Sequence, residues 1–312
     1  MSVRGSDKGY RLKVQDVYKQ YGDHVVLDNI DLAVKAGELC TVVGPSGCGK
    51  STLLRLILGQ ERPTAGGLLI DEQPVGYPNM DRGIVYQRYS LYPHLSVIDN
   101  VLLGKTLPQS WWARKRIKRA HRDDAMNYLE RVRLADHAQK YPHELSGGMQ
   151  QRVAIAQAII THPKILLMDE PFGALDPDTR EDLQLFLLEL WEQEAMTVFF
   201  VTHDLQEAMY LGTRLLVLSQ YYTDDRGDND GVRRGAKIVA DYALPPVAAP
   251  SDIKNKPEFL ALLEDIRSRG FDPEVRQHAS EFNFSHADAY QTLTEEEHSL
   301  VGPIIPGSPP FA

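Results

Sequence analysis

The chain has 312 residues, of which 43% are hydrophobic and 25% are charged, a composition typical of a globular protein. Its 34 basic and 43 acidic residues give a net charge of −9, which argues against a protein that binds nucleic acid through a basic surface. The longest apolar runs are far below the roughly 18–20 residues that span a bilayer, so the sequence predicts no membrane-spanning helix.

The start of the chain and its two cysteines indicate the cellular compartment in which the protein works. The N-terminal residues lack the apolar core of a secretory signal. The two cysteines, Cys40 and Cys48, offer no disulfide framework and suit a reducing compartment. We therefore expect a cytoplasmic protein, and we interpret Cys48 as a packing residue.

The first part of the chain is predicted to form strands. Apolar and polar residues alternate strictly over residues 12–17 and less regularly over residues 25–34. Residues 38–43 are interpreted as a buried strand, and residues 53–58 as a helix.

A phosphate-binding loop lies between that strand and that helix, where the chain matches the pattern GxxxxGK[ST]. The loop amides and the unpaired N–H groups of the first helical turn point to one spot and form an anion cradle. Lys50 is then placed to reach the β- and γ-phosphates, and the Ser51 hydroxyl to ligate Mg²⁺. The sequence therefore predicts binding of a nucleoside triphosphate. The predicted nucleotide-binding residues of the loop are Gly44, Pro45, Ser46, Gly47, Cys48, Gly49, Lys50, Ser51 and Thr52.

Residues 87–146 have a helical pattern and end at a second glycine turn. The residues spaced as one helix face are Ala125, Met126, Leu129, Val132 and Arg133. Ser146 precedes an apolar-periodic helix and is a candidate N-cap residue. Gly147 and Gly148 expose backbone amides at the positive end of the helix dipole, which makes the turn a candidate second phosphate site. Such turns are also common for purely structural reasons.

Two adjacent carboxylates, Asp169 and Glu170, end an apolar strand predicted at residues 165–169. A carboxylate at a strand end beside a phosphate loop holds Mg²⁺ through water, and Asp169 is the candidate for that role. Successive side chains on an extended backbone point in opposite directions, so Glu170 is free to face an attacking water. We expect Glu170 to be the general base; a merely solvated acidic pair is the alternative.

Further strands are predicted at residues 197–201 and 214–219. They alternate with helices at about residues 177–195 and 204–211, as a mostly parallel sheet requires. The acidic loop at residues 221–231 lacks the glutamate that closes a calcium loop, so we expect no metal there.

Residues 245–312 form an acidic C-terminal extension with eleven acidic and five basic residues. One helix is predicted in it, and we expect this helix to dock on the body of the protein. Its apolar face consists of Phe259, Leu262, Leu263 and Ile266. The proline-rich end is expected to be disordered.

The motifs now described occur in a specific order. The phosphate loop, the turn at Ser146, the Met-Asp-Glu-Pro run that contains Asp169 and the Ala-Leu-Asp run that ends at Asp176 resemble an ATP-binding cassette (ABC) ATPase in order and approximate separation. The resemblance covers residues 10–244. It implies an α/β fold: a P-loop NTPase core with a mostly parallel sheet, an N-terminal antiparallel β-subdomain and an inserted α-helical subdomain at about residues 88–160.

The resemblance also implies cofactors, a second copy and further site residues. ATP and Mg²⁺ are the expected cofactors. In that family ATP lies between the phosphate loop of one copy and the signature turn of another, which corresponds to residues 145–149 here. Tyr21 resembles the aromatic residue that stacks on adenine, with Tyr18 a weaker candidate. Gln87 resembles the glutamine that reaches Mg²⁺ and the attacking water. His203 resembles the histidine that bonds the γ-phosphate, and Asp176 the aspartate that communicates across the two-copy interface.

Two positions depart from the family pattern. Met149 stands where the family most often has Gln, and Gln157 stands where relatives usually carry Arg. Neither substitution removes a phosphate or metal contact, so we still expect catalysis.

The resemblance favours a transport function. Residues 87–101 are similar to the segment that docks a permease helix in bacterial importers, and residues 169–176 are similar to the nitrate, sulfonate and taurine importer group. We expect an ATP-hydrolysing importer subunit, peripheral on the cytoplasmic face of the cell membrane. Its expected partners are permease subunits, a second copy or close paralogue and, indirectly, a periplasmic or lipid-anchored binding protein, but no nucleic acid. An ABC ATPase of an efflux, lipid-extraction or soluble machine is the alternative.

Overall fold

The structure is a computed structural model that describes residues 9–87, 90–106, 120–226, 234–245 and 257–291. It divides into two compact units. The phosphate-loop unit consists of Met1–Tyr77 with Phe200–Ala312, and the helical unit consists of Pro78–Phe199.

The strands of the described residues follow in chain order. They are β1 Tyr10–Tyr21, β2 His24–Lys35, β3 Leu39–Val43, β4 Ala65–Ile70, β5 Gln73–Pro74, β6 Arg82–Tyr86, β7 Ile165–Asp169, β8 Thr197–Val201, β9 Arg214–Ser219, β10 Tyr222–Thr223, β11 Lys237–Ala243, β12 Gln277–His278 and β13 Asn283–Phe284.

The α-helices are named in the same way. They are α1 Lys50–Leu58, α2 Val97–Thr106, α3 Arg122–Arg131, α4 Gly147–Ile159, α5 Pro177–Glu194, α6 Leu205–Leu211 and α7 Pro257–Phe271. Short 3₁₀ turns lie at Ala135–His137, Pro142–Glu144 and Ala279–Glu281. Within the described part of the chain, every helix is too short or too polar to cross a membrane.

The phosphate-loop unit contains an antiparallel sheet with the strand order β2-β1-β4-β5. Register irregularities between β1 and β2 coincide with left-handed residues at Asp16 and Asn29, whose φ angles are 49° and 52°. This sheet confirms the predicted N-terminal antiparallel subdomain.

The same unit contains the strand order β13-β11-β9-β3. Strands β3 and β9 run parallel, whereas β11 runs antiparallel to β9. Every residue of β3 and β9 is buried, which explains their lack of alternation between apolar and polar residues. The predicted strand at residues 214–219 is confirmed as β9, and the predicted helix at 204–211 as α6.

In the helical unit, β6 and β7 pair in parallel, and helices α2, α3 and α4 pack on one another. The packing of α2 on α4 is close, because a Cβ added at Gly104 would lie 2.4 Å from the Gln157 carbonyl oxygen. The predicted face of α3 is confirmed at Ala125 and Leu129, which are fully buried. It was wrong at Arg133, which is exposed and lies beyond the helix end with φ of 60°.

The C-terminal extension packs on the phosphate-loop unit. The predicted helix is confirmed as α7, and Phe259, Leu263 and Ile266 of its apolar face are buried. Beyond α7, the Tyr10 hydroxyl donates to Asp288 at 2.9 Å. The Tyr290 hydroxyl donates to a β1 carbonyl at 2.7 Å. The predicted disorder of the proline-rich end lies outside the described residues.

A buried cation connects several strands of the phosphate-loop unit. Arg214, which is 0% exposed, donates from Nε and Nη2 to the two carboxylate oxygens of Asp241 at 2.8 and 2.6 Å. Its Nη1 donates to the Ala33 carbonyl oxygen at 2.6 Å and to Glu38 at 3.2 Å. Because the paired carboxylate of Asp241 is itself buried, neither charge has water as an alternative partner.

We expect Asp241→Ala to lower the free energy of unfolding by about 3–5 kcal/mol, because it leaves a buried guanidinium without its bidentate partner. Urea-induced unfolding measures this loss. The control is Glu189→Ala, which breaks an exposed ion pair with Arg133 and should cost about 0–1 kcal/mol. Similar losses in the two variants would contradict a central role for the Arg214 pair.

Candidate active site

The phosphate loop adopts a conformation that requires glycine at two positions. At Gly44, directly after β3, a Cβ would lie 2.0 Å from the carbonyl oxygen of Leu218. Gly49 is the N-cap of α1 with φ of 105°, and a Cβ there would lie 2.9 Å from side-chain atoms of Val26 and Leu27. Backbone packing on both sides therefore fixes the loop, and α1 begins with its amides directed at the loop.

Lys50 and Cys48 of the loop are both buried. The Lys50 ammonium donates to the carbonyl oxygens of Gly44 and Pro45 at 2.8 and 2.9 Å, which holds its charge at the concave side of the loop. Burial raises the pKa of the Cys48 thiol, so this side chain stays neutral. These contacts support the packing role predicted for Cys48.

The two adenine-stacking candidates differ in exposure. Tyr18 is 8% exposed and belongs to the core, whereas Tyr21 is 43% exposed at the end of β1. The Tyr21 hydroxyl donates to Glu61, and burial together with this bond raises the pKa of the phenol. Glu61 pairs with Arg55 at 3.0 Å, so Tyr21 is linked to α1. Of the two rings, only Tyr21 offers a face for a base.

His203 lies on the loop between β8 and α6 and is exposed. The amide of the preceding Thr202 donates to the Val42 carbonyl at 3.2 Å, which holds this loop beside the strand that leads into the phosphate loop. The Thr202 hydroxyl donates to the buried Glu207 at 2.6 Å, and Asp204 caps α6 by accepting from the amides of its first turn.

Sequence reasoning missed the pair formed by Thr202 and Glu207. The signal was present, because a capping aspartate at Asp204 followed three residues later by glutamate is typical of a helix start. The pair and the cap fix the backbone on both sides of His203.

In the helical unit, Asp169, Glu170 and Gln87 lie close together. Asp169, the last residue of β7, pairs with Tyr86, the last residue of β6. Gln87 directly follows Tyr86, so it lies at the edge where the two strands end. A Cβ at Gly173 would lie 3.2 Å from Nε2 of Gln87 and 3.9 Å from a carboxylate oxygen of Glu170. Gly173 thus leaves space for both side chains.

The backbone at Glu170 differs from the expectation. The sequence predicts an extended backbone through Asp169 and Glu170, but Glu170 is left-handed with φ of 47°. A non-glycine residue in this region costs about 1–3 kcal/mol and persists where surrounding packing enforces it. The chain therefore turns sharply after β7, and the alternation of side chains along an extended strand does not apply at Glu170.

The second glycine turn opens α4 as predicted. The Ser146 hydroxyl accepts from the Met149 amide at 3.4 Å, which confirms Ser146 as the N-cap. Gly147 and Gly148 are the first helical residues. Asp176 caps α5 in the same way, with its carboxylate accepting from the Thr179 amide at 3.0 Å, and this bond lowers the pKa of Asp176.

The two caps are packed against each other through Gly148. A Cβ added there would lie 2.4 Å from the Thr179 methyl carbon. Since Thr179 donates to Asp176, the signature turn and the Asp176 turn form one assembly in the helical unit. The structure thus places Tyr21, the phosphate loop and His203 in one unit, and Gln87, Asp169, Glu170, Ser146, Gly147, Gly148 and Asp176 in the other.

We expect Gly148→Ala to lower the free energy of unfolding by about 1–3 kcal/mol, because the new Cβ overlaps the Thr179 methyl group. Adding Thr179→Ser removes that methyl group and should restore most of the loss. Gly76→Ala is the control, since no heavy atom lies within 4 Å of its added Cβ. Denaturant unfolding of the variants checks this, and no recovery in the double variant would contradict the contact.

Comparisons with known proteins match this chain to one family. The family model described as ABC transporter matches residues 27–173. An uncharacterised ABC transporter ATP-binding protein of Methanocaldococcus jannaschii is 47% identical over 214 residues, which cover 67% of this chain and 78% of that protein. The nitrate import ATP-binding protein NrtD of Synechocystis is 46% identical over 198 residues, which cover 64% of this chain and 72% of that protein.

One similar solved structure is a dimeric post-hydrolysis state of the ATP-binding cassette MJ0796 with bound ADP and Pi. It is 34% identical with a TM-score of 0.55, and the similarity covers 66% of this chain and 93% of that chain.

Proposed function

We propose that this chain is the ATPase subunit of a bacterial ABC importer. It belongs to the family of ABC transporter ATP-binding proteins and is an ATP hydrolase of that type. The observation that carries the importer proposal is the similarity to a nitrate import ATP-binding protein. We infer a peripheral position on the cytoplasmic face of the cell membrane, next to permease subunits that a binding protein supplies with substrate.

We assign nucleotide binding first to the phosphate-loop unit. The exposed ring of Tyr21 is suited to stack on adenine, since the hydrogen bond from its hydroxyl to Glu61 holds the ring in place. The Lys50 ammonium is suited to bind the β- and γ-phosphate oxygens, because it is held at the loop and can exchange carbonyl partners for charged ones. His203 is the proposed donor to the γ-phosphate.

We assign water activation to the helical unit. Glu170 is the proposed general base: it accepts a proton from the water whose oxygen forms the new bond to the γ-phosphorus, and ADP leaves with the electron pair of the broken P–O bond. The amide of Gln87 lies near this carboxylate and is suited to orient the water.

The proposed magnesium ligands are Ser51, Gln87 and Asp169. All three offer oxygen atoms, the donors that Mg²⁺ prefers, and the ion would neutralise charge on the β- and γ-phosphates.

We further propose that two copies act together. The Ser146 turn lies at the N-terminal end of α4, where the backbone amides of the first helical turn point out of the helix. These amides are suited to bind the phosphates of ATP held by a second copy. Asp176 accepts from the amide of Thr179, whose methyl group lies against Gly148 of the same turn, and this link suits the proposed communication across the interface.

The segment proposed to dock the permease is structurally defined over residues 90–101. The fully buried side chain of Asn100 accepts from the Tyr92 amide at 2.8 Å and donates to the Tyr92 carbonyl at 3.1 Å. The Tyr92 ring is 43% exposed and contacts the His94 ring edge-on at 5.8 Å. A rigid loop with an exposed aromatic side chain is suited to bind a partner helix.

We expect Glu170→Gln to reduce ATP hydrolysis by about 10²–10⁴-fold while ATP binding is retained, since only the base is lost. The neutral amide also removes repulsion with the γ-phosphate, so an ATP-bound dimer should accumulate. Light scattering with ATP and steady-state phosphate release measure the two effects. Glu189→Gln, at an exposed position of α5, is the control, and near-normal hydrolysis by the Glu170 variant would disprove its role.

We expect the double variant Leu91→Ala/Tyr92→Ala to weaken assembly with the permease, because each lost apolar contact is worth roughly 1–3 kcal/mol. Hydrolysis by the isolated subunit should change little. The measurement pairs that basal ATPase with substrate-stimulated ATPase of the reconstituted complex, and Tyr77→Ala, an exposed tyrosine of the other unit, is the control. Equal loss of both activities would place these residues in the core and remove this support for an importer.

A further inference from the structure

The C-terminal extension shares an apolar core with the elements that carry the nucleotide-binding groups. Phe259, Leu263 and Ile266 of α7 belong to the same buried cluster as Leu205 of α6. That cluster also contains Val43, the last residue of β3 before the phosphate loop. Helix α7 is therefore part of the packing beneath the site.

The position of α7 is fixed by two specific contacts. The Tyr242 hydroxyl of β11 donates to Asp265 at 2.6 Å, and burial together with this bond raises the pKa of Tyr242, so the phenol remains a donor. Near the C-terminal end of the helix, Gly270 lies so close to Val217 of β9 that an added Cβ would be 2.4 Å from a Val217 methyl carbon. The two contacts set the register of α7 on the sheet.

A cleft of about 590 Å³ lies between α7 and the His203 loop. One wall of the cleft consists of residues 203–206, which are His203, the Asp204 cap and the start of α6. The opposite wall consists of Leu263, Arg267 and Phe271 of α7. The side chains of α7 therefore face the segment that carries His203.

Helix α6 depends on its neighbours for stability. It has seven residues, and isolated helices below about 12–15 residues are marginal in water. Its buried side includes Leu205, in the turn that directly follows His203 and Asp204. A change in the packing of Leu205 against α7 is therefore transmitted to His203 through two peptide units.

We propose that α7 positions His203 for hydrolysis, with Leu263 and Phe271 as the positioning residues. The inference rests on the proposed contact of His203 with the γ-phosphate. It assigns to the extension a role in setting the catalytic rate, because α7 shares a buried cluster with α6, whose first residue lies two positions after His203, and lines the same cleft as His203. Nucleotide affinity is set elsewhere in the unit, by the phosphate loop and Tyr21.

The test compares Leu263→Ala with the volume-conserving Leu263→Met in the full-length chain. For Leu263→Ala we expect kcat for ATP to fall by about tenfold or more, since small displacements of a positioned group are costly, with KM changed less than about twofold. Leu263→Met should restore kcat. An unchanged kcat in Leu263→Ala would overturn the proposal.

Ile266→Ala is the matched control, because Ile266 is buried in the same cluster but does not line the cleft. At a temperature where both variants are folded, it should lose stability and keep a kcat near that of the unchanged protein. Equal loss of kcat in both variants would show a general effect of core packing and would overturn the proposal. Phe271→Leu, at the partly exposed end of α7, provides the same test if Leu263→Ala fails to fold.

Single-turnover hydrolysis with His203→Ala separates this inference from the proposed function. If α7 acts through His203, Leu263→Ala added to His203→Ala should cause no further loss, whereas an additive loss would overturn the positioning role. If His203→Ala alone hydrolyses ATP normally, the proposed role of His203 fails, and positioning fails with it. If His203→Ala hydrolyses ATP slowly and Leu263→Ala is normal, only positioning fails.

Discussion

The buried guanidinium of Arg214 is the interaction on which the phosphate-loop unit depends. Arg214 is the first residue of β9, the strand that pairs with β3. Its guanidinium donates to the Ala33 carbonyl near the end of β2, to Glu38 in the turn before β3 and to Asp241 of β11. One side chain thus holds the antiparallel sheet, the phosphate-loop strand and the strand that receives the C-terminal extension. A charge this deeply buried is tolerable only while all its acceptors are in place, so folding of these strands around it is cooperative.

Local sequence patterns predicted most of the fold, because the relevant interactions lie within a few residues. The strands β7, β8 and β9 and the helices α5 and α6 were predicted within a few residues of their observed ends, since continuous apolar runs and capping residues mark them directly. The phosphate loop was predictable for the same reason, as was the cap at Ser146. The family resemblance, now supported by close relatives, supplied expected roles that no local pattern can encode, such as that of His203, and these roles stay predictions.

Features that depend on distant contacts were not predicted. The left-handed turn at Glu170 has no local signal, because glutamate rarely adopts this conformation. The two-residue strands β12 and β13 are too short to show a period. The contact between Gly148 and Thr179 joins two helix starts that are distant in sequence, so the sequence identifies each turn but not their packing.

Three site candidates share one physical property: packing against other elements supports the position of the segment that carries them. Glu170 lies in a strained turn, and His203 precedes a helix too short to be stable alone. The Ser146 turn is held through the close approach of Gly148 to a neighbouring helix start. Groups held in this way respond when a neighbouring element shifts by a fraction of an ångström, because packed interfaces move between discrete arrangements. Such coupling suits the proposed importer role, in which hydrolysis is transmitted to other subunits. Helix α7 is remote in sequence from every motif, yet it lines a cleft together with the His203 loop.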